Sequence, residues 1–417
     1  MNVWSYIGFT FILLTSIQNS QATSFNGYIV KVKKNFSMPF ENNQIFFSVG
    51  KISKIVKTNF GTFFQLETNL DLNSLSLKTF LRHPAIDYAE PNYIISLNQV
   101  SLPNDPSFNK QWGLNNVTWP EEDINALQAW DITKGSKDIK IAVIDTGVDY
   151  THPDLASQMD INSAELNGIS GVDDDGNGFV DDIYGYNFVG KNGDPQDGNG
   201  HGTHCAGIIG AAHNSIGVAG VMAEVKLIAL KFLSDSGTGE TIDAIAAIDY
   251  AIKRGANVMS NSWGGGEKDQ SLEEAIRAAD KAGIVFVTAA GNESVDNDTV
   301  ASYPANYKVP NIISVASFTF NGNKSSFSNY GVKSVHVTAP GTAIFSTYKK
   351  NSYSSLSGTS VACPFVAGIV GLLLSKNSQL TPSQIKEKLI KTSVKTPKLL
   401  NVSLSKGRVD AFKALLD

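Results

Sequence analysis

Between residues 139 and 318, short apolar runs alternate with amphipathic segments that end at a glycine. The apolar runs are rich in β-branched residues: IKIAVID (139–145), VKLIALKFL (225–233), IVFVTAAGN (284–292) and NIISVASF (311–318). Helical periodicity marks TIDAIAAIDYAIKRG (241–255) and SLEEAIRAADKAG (271–283). Because strands that are apolar along their whole length are buried on both faces, this alternation is typical of a parallel sheet between two layers of helices. The sequence therefore predicts a three-layer α/β fold with a mainly parallel central sheet.

The first 103 residues do not follow this pattern. Residues 1–22 hold an apolar stretch, then polar residues and the small-x-small sequence Ser20-Gln21-Ala22, which is the form of a signal peptide and its cleavage site. We therefore expect a secreted protein, extracellular or periplasmic, with no membrane anchor after cleavage. Residues 23–103 contain short strand patterns and predict a small α+β domain. The segment SLPNDPSF (101–108) marks its boundary with a large domain of residues 104–417.

The charge of the chain argues against a nucleic-acid partner. The formal net charge is −5, without the basic balance that nucleic-acid binding requires. Residues 23–103 carry 8 basic and 5 acidic side chains (net +3), whereas residues 104–417 carry 26 and 34 (net −8). The two predicted domains therefore have complementary charges.

Ser360 lies in LSGTSVACPF (356–365), directly before an apolar run that ends at Leu374. This pattern predicts a buried helix over 361–374, with Pro364 in its first turn and Ser360 at its start. Ser360 is then either a helix-capping residue or a nucleophile at the positive end of a helix. The second interpretation requires a base, an orienting acid and an oxyanion donor elsewhere in the chain.

Three other segments contain candidates for these roles. Asp145 ends a predicted strand, His201 begins a predicted helix in GNGHGTHCAG (198–207), and Asn292 ends the strand pattern VTAAGN (287–292). Taken singly, each fits a turn or a cap, and His201 with His204 has metal-ligand spacing but no third ligand. Together with Ser360 they give an acid, a base, an amide donor and a serine. The order Asp, His, Ser is that of the subtilisin triad.

Residues 104–417 resemble the subtilisin family of serine proteases. The matching segments are VIDTGVDYTHPDL (143–155), GHGTHCAG (200–207), MSNSWGG (259–265), AAGN (289–292) and GTSVACP (358–364). The resemblance implies a subtilisin-like fold and an endopeptidase that acts on protein or peptide substrates. It implies that Ser360 attacks the carbonyl, His201 transfers the proton and Asp145 orients the ring. Asn292 would donate to the oxyanion together with the backbone N–H of Ser360.

Residues 23–98 are similar to the inhibitory propeptide of the same family, most clearly at IDYAEPNY (86–93). The resemblance implies a monomeric proenzyme that cleaves itself near residues 98–104 and is then inhibited by its own propeptide. A catalytically silent, secreted peptide-binding homologue is the alternative. An α/β-hydrolase esterase is excluded, because Ser360 lies in G-x-S-x-A and the triad order differs.

The sequence departs from the family pattern beside Ser360. Val361 and Phe365 stand where the family commonly has Met and His, but neither change removes a catalytic group. Cys205 lies next to the general-base motif, and a cysteine at this position resembles the proteinase K branch of the family. Cys205 and Cys363 are the only cysteines, and they are either packed free thiols or a site at which a mercurial blocks activity.

The resemblance implies that two segments of this chain pair with an extended peptide substrate. It also implies that small residues surround P1, the substrate side chain directly before the scissile bond. The small walls suggest that large apolar or aromatic P1 side chains are accepted. The residues that match these roles are Ser236, Gly237, Ser262, Trp263, Gly264, Ala289, Ala290 and Gly291.

Two segments are candidate Ca²⁺ sites. DDDGNGFVDD (173–182) places Asp173, Asp175, Asn177 and Asp181 at EF-hand-like spacing, but position 12 is Tyr184 instead of Glu. It is either a calcium loop or a solvated acidic turn. The second site is implied by resemblance, and its oxygen ligands suit Ca²⁺ better than zinc. It would be formed by Asp154, Ala212, Asn214, Ile216 and Val218.

Overall fold

The computed structural model of the chain describes residues 25–34, 49–70, 74–93 and 102–416. Two compact units are present, residues 1–99 and residues 100–417. The predicted signal peptide (1–22) lies outside the described residues, and the predicted processing segment near 98–104 is described only from residue 102.

The described residues of the first unit include an antiparallel sheet with the strand order β2-β3-β1-β4 and the helix α1. Val30, Phe64, Leu66, Leu77 and Phe80 are buried in its core. The hydroxyl of Ser74 accepts the N–H of Leu77 and so caps the helix. The elements are β1 (Phe25–Val32), β2 (Lys51–Thr58), β3 (Gly61–Glu67), α1 (Leu75–Leu81) and β4 (Ile86–Tyr93).

The second unit is built on a nine-stranded sheet. The strands are β5 (Gly135–Asp145), β6 (Gly185–Asn187), β7 (Glu224–Lys231), β8 (Val258–Asn261), β9 (Val285–Ala289), β10 (Ile312–Phe318), β11 (Val337–Pro340), β14 (Val394–Lys395) and β15 (Gly407–Arg408). Their order is β14-β15-β11-β10-β9-β8-β5-β7-β6. The pair β14–β15 is antiparallel and the other pairs are parallel. A separate hairpin is formed by β12 (Ile344–Tyr348) and β13 (Ser352–Leu356).

Helices cover both faces of this sheet. They are α2 (Ala126–Trp130), α3 (Ser163–Leu166), α4 (His201–Gly210), α5 (Thr241–Lys253), α6 (Gln270–Lys281), α7 (Thr359–Lys376), α8 (Pro382–Thr392) and α9 (Ala411–Leu416). Alternate residues of β5 face opposite cores: Ile141 and Val143 pack with α4 and α7, whereas Ala142 and Ile144 pack with α5 and α6. The predicted three-layer α/β fold is confirmed.

Helix α7 differs from its prediction at both ends. It begins at Thr359 instead of Val361, so Pro364 is its sixth residue and does not lie in the first turn. Proline has no N–H to donate to the carbonyl four residues earlier, that of Ser360. The thiol of Cys205 lies 3.5 Å from this carbonyl oxygen and donates to it instead. The helix is long and apolar enough to cross a membrane, but 83% of its most apolar window is buried inside the fold.

Candidate active site

The buried end of β5 meets the start of α4. Asp145 is the last residue of β5 and is 1% exposed, and its Oδ1 lies 2.8 Å from Nδ1 of His201, the first residue of α4. Gly202 permits this approach, because a Cβ there would lie 2.1 Å from the carbonyl oxygen of Gly147. The predicted acid and base are therefore brought into a hydrogen bond that leaves Nε2 of the ring for a second partner.

A second buried carboxylate, Asp197, holds the His201 end of α4. Its Oδ1 accepts the N–H of Gly200 at 2.8 Å and the hydroxyl of Thr146 at 2.9 Å. Its Oδ2 accepts the N–H and the hydroxyl of Thr203, at 2.9 and 2.7 Å. Asp197 thus satisfies N–H groups at the helix start that have no partner inside the helix.

The surroundings of His201 favour its protonated form. Burial lowers the pKa of the ring, but the charge and hydrogen bond of Asp145 and the charge of Asp197 raise it by more. The pKa of His201 therefore lies above its ordinary value of 6.5. A base of this kind holds a proton firmly once it has accepted one.

Contacts with the start of α7 fix the orientation of the Asn292 amide. Oδ1 of Asn292 accepts the backbone N–H of Thr359 at 2.8 Å and its hydroxyl at 3.0 Å. The NH₂ group is therefore free to donate elsewhere. A Cβ placed on Gly358 would lie 2.7 Å from Oγ of Ser360 and 3.7 Å from Nδ2 of Asn292. The amide donor and the serine hydroxyl thus face the same small space.

His201, Asn292 and Ser360 line one cleft of about 670 Å³. A neighbouring pocket of about 340 Å³ shares Asn292 and Ser360 with it. Six of the eight predicted substrate-binding residues line one or both cavities: Gly237, Ser262, Trp263, Gly264, Ala289 and Gly291. The site therefore has a peptide-sized cleft with a side pocket at the serine.

The other two predicted substrate-binding residues do not line these cavities. Ala290 is fully buried against Phe318, because neighbouring residues at the end of β9 point to opposite sides. The hydroxyl of Ser236 lies 2.8 Å from that of Ser234 and 3.0 Å from that of Thr238.

Buried carboxylate oxygens without a hydrogen-bond partner mark the candidate Ca²⁺ site at Asp154 and the loop 212–218. Oδ1 of Asp154 and Oδ2 of Asp105 have none among the described residues. Both carboxylates contact the loop 212–218: Asp105 accepts the N–H of Asn214 at 3.1 Å, and Asp154 accepts that of Val218 at 3.1 Å. Burial raises the pKa of Asp154. An oxygen-ligated cation at this loop fits these atoms and would favour the ionised form of Asp154.

In the acidic loop 173–182, two of the three predicted carboxylate ligands lie close together, with one residue from outside the loop. Single carboxylate oxygens of Asp173, Asp175 and Glu165, a buried residue of α3, lie within 4.8 Å of one another. Asp181 faces elsewhere and accepts the N–H of Gly171 at 2.9 and 3.1 Å. Three clustered acidic oxygens fit Ca²⁺, although the oxygens of Glu165 also accept the backbone N–H groups of Asp174, Asp175 and Asp181.

Comparison with known proteins agrees with this geometry. A family model described as the subtilase family matches residues 136–409, about two thirds of the chain. The chain belongs to the subtilase family of serine endopeptidases.

Three relatives illustrate the range of similarity of this subtilase. It is 42% identical to thermitase of Thermoactinomyces vulgaris over 75% of its own length and 99% of that protein. It is 39% identical to the thermophilic serine proteinase of Bacillus sp. (strain AK1), over 72% of the chain and 66% of the relative. It is 37% identical to subtilisin-like protease 1 of Plasmodium falciparum (isolate 3D7), but it covers only 47% of that longer protein.

Solved structures give the same result. A protease from Pseudoalteromonas arctica PAMC 21717 matches with a TM-score of 0.63 at 28% identity, over 76% of the subtilase and 99% of that chain. A cold-adapted subtilisin-like serine proteinase matches with a TM-score of 0.52 at 32% identity, over 67% and 89%. The predicted subtilisin-like fold is confirmed.

The structure also shows site residues of the subtilase that its motifs did not predict. The pocket beside Ser360 is lined by Glu293, Val295, Val300, Ala301, Ser302 and Tyr303 as well. Asp197, Asp105 and Glu165 were likewise missed. Asp197 lies next to the motif that contains His201. This position is the only sequence signal that could have indicated any of these residues.

The departures beside Ser360 are buried. Val361 and Phe365 are 0% and 3% exposed and pack in the apolar core. Cys205 and Cys363 are fully buried free thiols, and burial raises the pKa of both. Both cysteines are therefore protonated and unreactive at neutral pH in the closed fold.

Proposed function

We propose that this subtilase is a secreted endopeptidase that hydrolyses peptide bonds with Ser360 as nucleophile, His201 as base and Asp145 as orienting acid. One observation carries the proposal: the hydrogen-bonded Asp145–His201 pair opens into the cleft that Ser360 and Asn292 also line. The other features of the site support the same chemistry step by step.

In the first step His201 takes the hydroxyl proton of Ser360 through Nε2 while Oγ attacks the scissile carbonyl. The carbonyl oxygen becomes negative and accepts hydrogen bonds from Nδ2 of Asn292 and the backbone N–H of Ser360. His201 then gives its proton to the leaving amine, and an acyl-enzyme remains. Water, deprotonated by the same ring, releases the acid and restores the hydroxyl. The charge of Asp145 stabilises the imidazolium in both steps.

The side pocket supports a preference for large apolar or aromatic P1 side chains. Gly264, Ala289 and Gly291 project little into its volume of about 340 Å³, and Val295 and Val300 add apolar surface. Within the described part of the chain, the single carboxylate in its lining belongs to Glu293, whose Oε2 already accepts the N–H of Asn292 and the amide of Asn329, both at 2.9 Å. An apolar side chain is therefore easier to place there than a free cation.

Bound Ca²⁺ is proposed to stabilise the folded enzyme. One ion would be held by Asp105, Asp154 and the loop 212–218, and another by Glu165, Asp173 and Asp175. An ion that binds only the folded chain raises its stability and slows self-digestion. Calcium has no part in the proton transfers.

We also propose that the chain is a monomeric precursor. The signal peptide (1–22) would direct secretion, and residues 23–103 would act as an intramolecular inhibitor until cleavage near residues 98–104. The complementary net charges, +3 for residues 23–103 and −8 for 104–417, support an association of the two parts before release.

The experiment is the intact mass and N-terminal sequence of the full chain beside Ser360→Ala, both expressed with Ca²⁺. We expect the wild type to lose about 80 residues beyond the signal peptide, the span of a small folded domain, and the variant to keep them. If both proteins stay uncut and folded, the catalytically silent homologue is favoured instead. If both are cut alike, self-processing is wrong, and cleavage of added casein decides whether Ser360 acts on substrates.

A further inference from the structure

A further cavity, of about 560 Å³, adjoins the side pocket beside Ser360, which is the proposed P1 pocket. This cavity has no part in the proposed reaction. Ala301 and Tyr303 line both, so residues 301–303 form a shared wall. The cavity is also lined by His336, which directly precedes β11, and by Lys386 of α8. These two residues bring a positive charge and an imidazole group to the cavity.

His336, a lining residue of this cavity, has a hydrogen-bond donor without a partner among the described residues. Its Nδ1 accepts the backbone N–H of Ser314 at 2.9 Å, which places the hydrogen of the neutral ring on Nε2. Burial and the nearby charge of Lys386 lower the pKa of His336 to about 3, so the ring is neutral at neutral pH. Among the residues that the structure describes, none accepts a hydrogen bond from Nε2.

Lys386 brings an ammonium group that has no counter-ion among the described residues. Its side chain is half-buried, burial lowers its pKa, and no carboxylate of the described chain lies within 4.0 Å of it. The charges of Asp280 and Glu387 act on it only from beyond that distance. A partly desolvated charge without a partner is costly, because it has lost water without gaining an anion.

The rest of the lining adds two lysines, together with hydroxyl and amide groups that can also accept hydrogen bonds; Oδ1 of Asn297 is buried and has no partner among the described residues. Lys308 and Lys333 are exposed and make no ion pair in the described parts of the chain. Asp298 is the one carboxylate among the described lining residues, and its oxygens accept the backbone N–H groups of Lys333 and Ser334 and the hydroxyl of Ser334, at 2.7–3.2 Å. Three lysines and one histidine thus line a cavity in which the described carboxylate, that of Asp298, already accepts several hydrogen bonds.

We propose that this cavity binds a small oxyanion, of the sulfate, phosphate or carboxylate class, between the ammonium of Lys386 and Nε2–H of His336. Charge-assisted hydrogen bonds from both groups satisfy donors that otherwise have no partner. Lys308 and Lys333 add attraction at longer range. The bound anion would lie behind the wall of the P1 pocket, but the binding itself does not depend on the proposed catalytic reaction.

The test is calorimetric titration of the full chain carrying Ser360→Ala, which prevents self-digestion, with sodium sulfate against sodium chloride at constant ionic strength. Sulfate is preferred to phosphate because phosphate precipitates Ca²⁺. Lys386→Met removes the central charge, and Lys388→Met, on the same helix but outside the cavity lining, removes an equal charge as a control. Lys386→Gln replaces the first variant if it does not fold.

We expect one saturable sulfate site per chain, weakened about tenfold or more by Lys386→Met and little changed by Lys388→Met. A second titration with succinate shows which class of oxyanion the site accepts. If succinate binds and Lys386→Met weakens that binding while Lys388→Met does not, the site also accepts carboxylates. If succinate does not bind, the site is restricted to tetrahedral oxyanions. The proposal is wrong if sulfate shows no saturable binding, or if both variants weaken it equally, as a diffuse charge effect would.

Discussion

Replacing Gly358 with alanine is expected to lower the rate of catalysis strongly while leaving the fold nearly intact. The new Cβ would lie 2.7 Å from Oγ of Ser360, whereas an ordinary contact needs at least 3.4 Å, so the hydroxyl must move by about 0.7 Å. The backbone adds no strain, because φ of Gly358 is 162°, an extended value open to any residue. Rotating a serine side chain away costs about 1 kcal/mol. A displaced nucleophile costs far more: about 1 Å of misplacement lowers the rate about 100-fold, or about 2.7 kcal/mol of activation free energy.

The assay measures kcat and KM on a chromogenic peptide together with the unfolding midpoint. Gly283→Ala is the matched control. Gly283 follows α6 with φ of 76° and open space around it, so alanine strains the backbone there without touching the site. We expect Gly358→Ala to lose kcat and keep stability, and Gly283→Ala to do the opposite. If Gly358→Ala keeps its kcat within about threefold of wild type, the inferred position of Oγ is wrong.

Three further perturbations separate the parts of the site. Asn292→Ala should lower kcat about 100- to 1000-fold with little change in KM, the range known for the corresponding donor of subtilisin; an equal rise in KM would point to a substrate-binding role instead. The acidic limb of the kcat/KM–pH profile should lie above pH 6.5, because the base must be neutral and its pKa is raised. Asp197→Asn should shift that limb to lower pH, and an unmoved limb contradicts the role given to its charge. Removing Ca²⁺ from about 100 times its Kd should cost about 2.7 kcal/mol of stability per site. Asp154→Asn and Glu165→Gln should each abolish one such loss in melting experiments, and undiminished sensitivity to EDTA argues against that site.

Much of the fold could be predicted from local sequence patterns, and the structure confirms these elements. Local patterns predicted the end of a buried strand at Asp145 and the start of a helix at His201, but the pairing of the two residues was inferred from the order of the candidates and from resemblance. The period of two along β9 would also have placed Ala289 and Ala290 on opposite sides, and only the first lines the pocket. Resemblance alone did not make that distinction.

Contacts between distant segments could not be predicted in the same way. Asp105 reaches the loop 212–218 from more than 100 residues away, and Glu165 reaches the acidic loop from a preceding helix. Neither has a motif, because a carboxylate needs only the right position to bind a cation. The sequence analysis also placed Pro364 in the first turn of α7, whereas it lies farther inside the helix. There the thiol of Cys205 donates to the carbonyl that the proline cannot reach with an N–H. Such compensation depends on tertiary packing, which no local pattern reveals.

The most direct test of the account is covalent labelling of the mature enzyme with a fluorophosphonate probe, followed by peptide mass mapping. This reagent reacts with a serine whose hydroxyl is activated by a neighbouring base and whose oxyanion is stabilised. The account predicts a single adduct on Ser360, which is lost in His201→Ala. An unlabelled but folded enzyme, or an adduct on another residue, would contradict the assignment of Ser360 as the nucleophile.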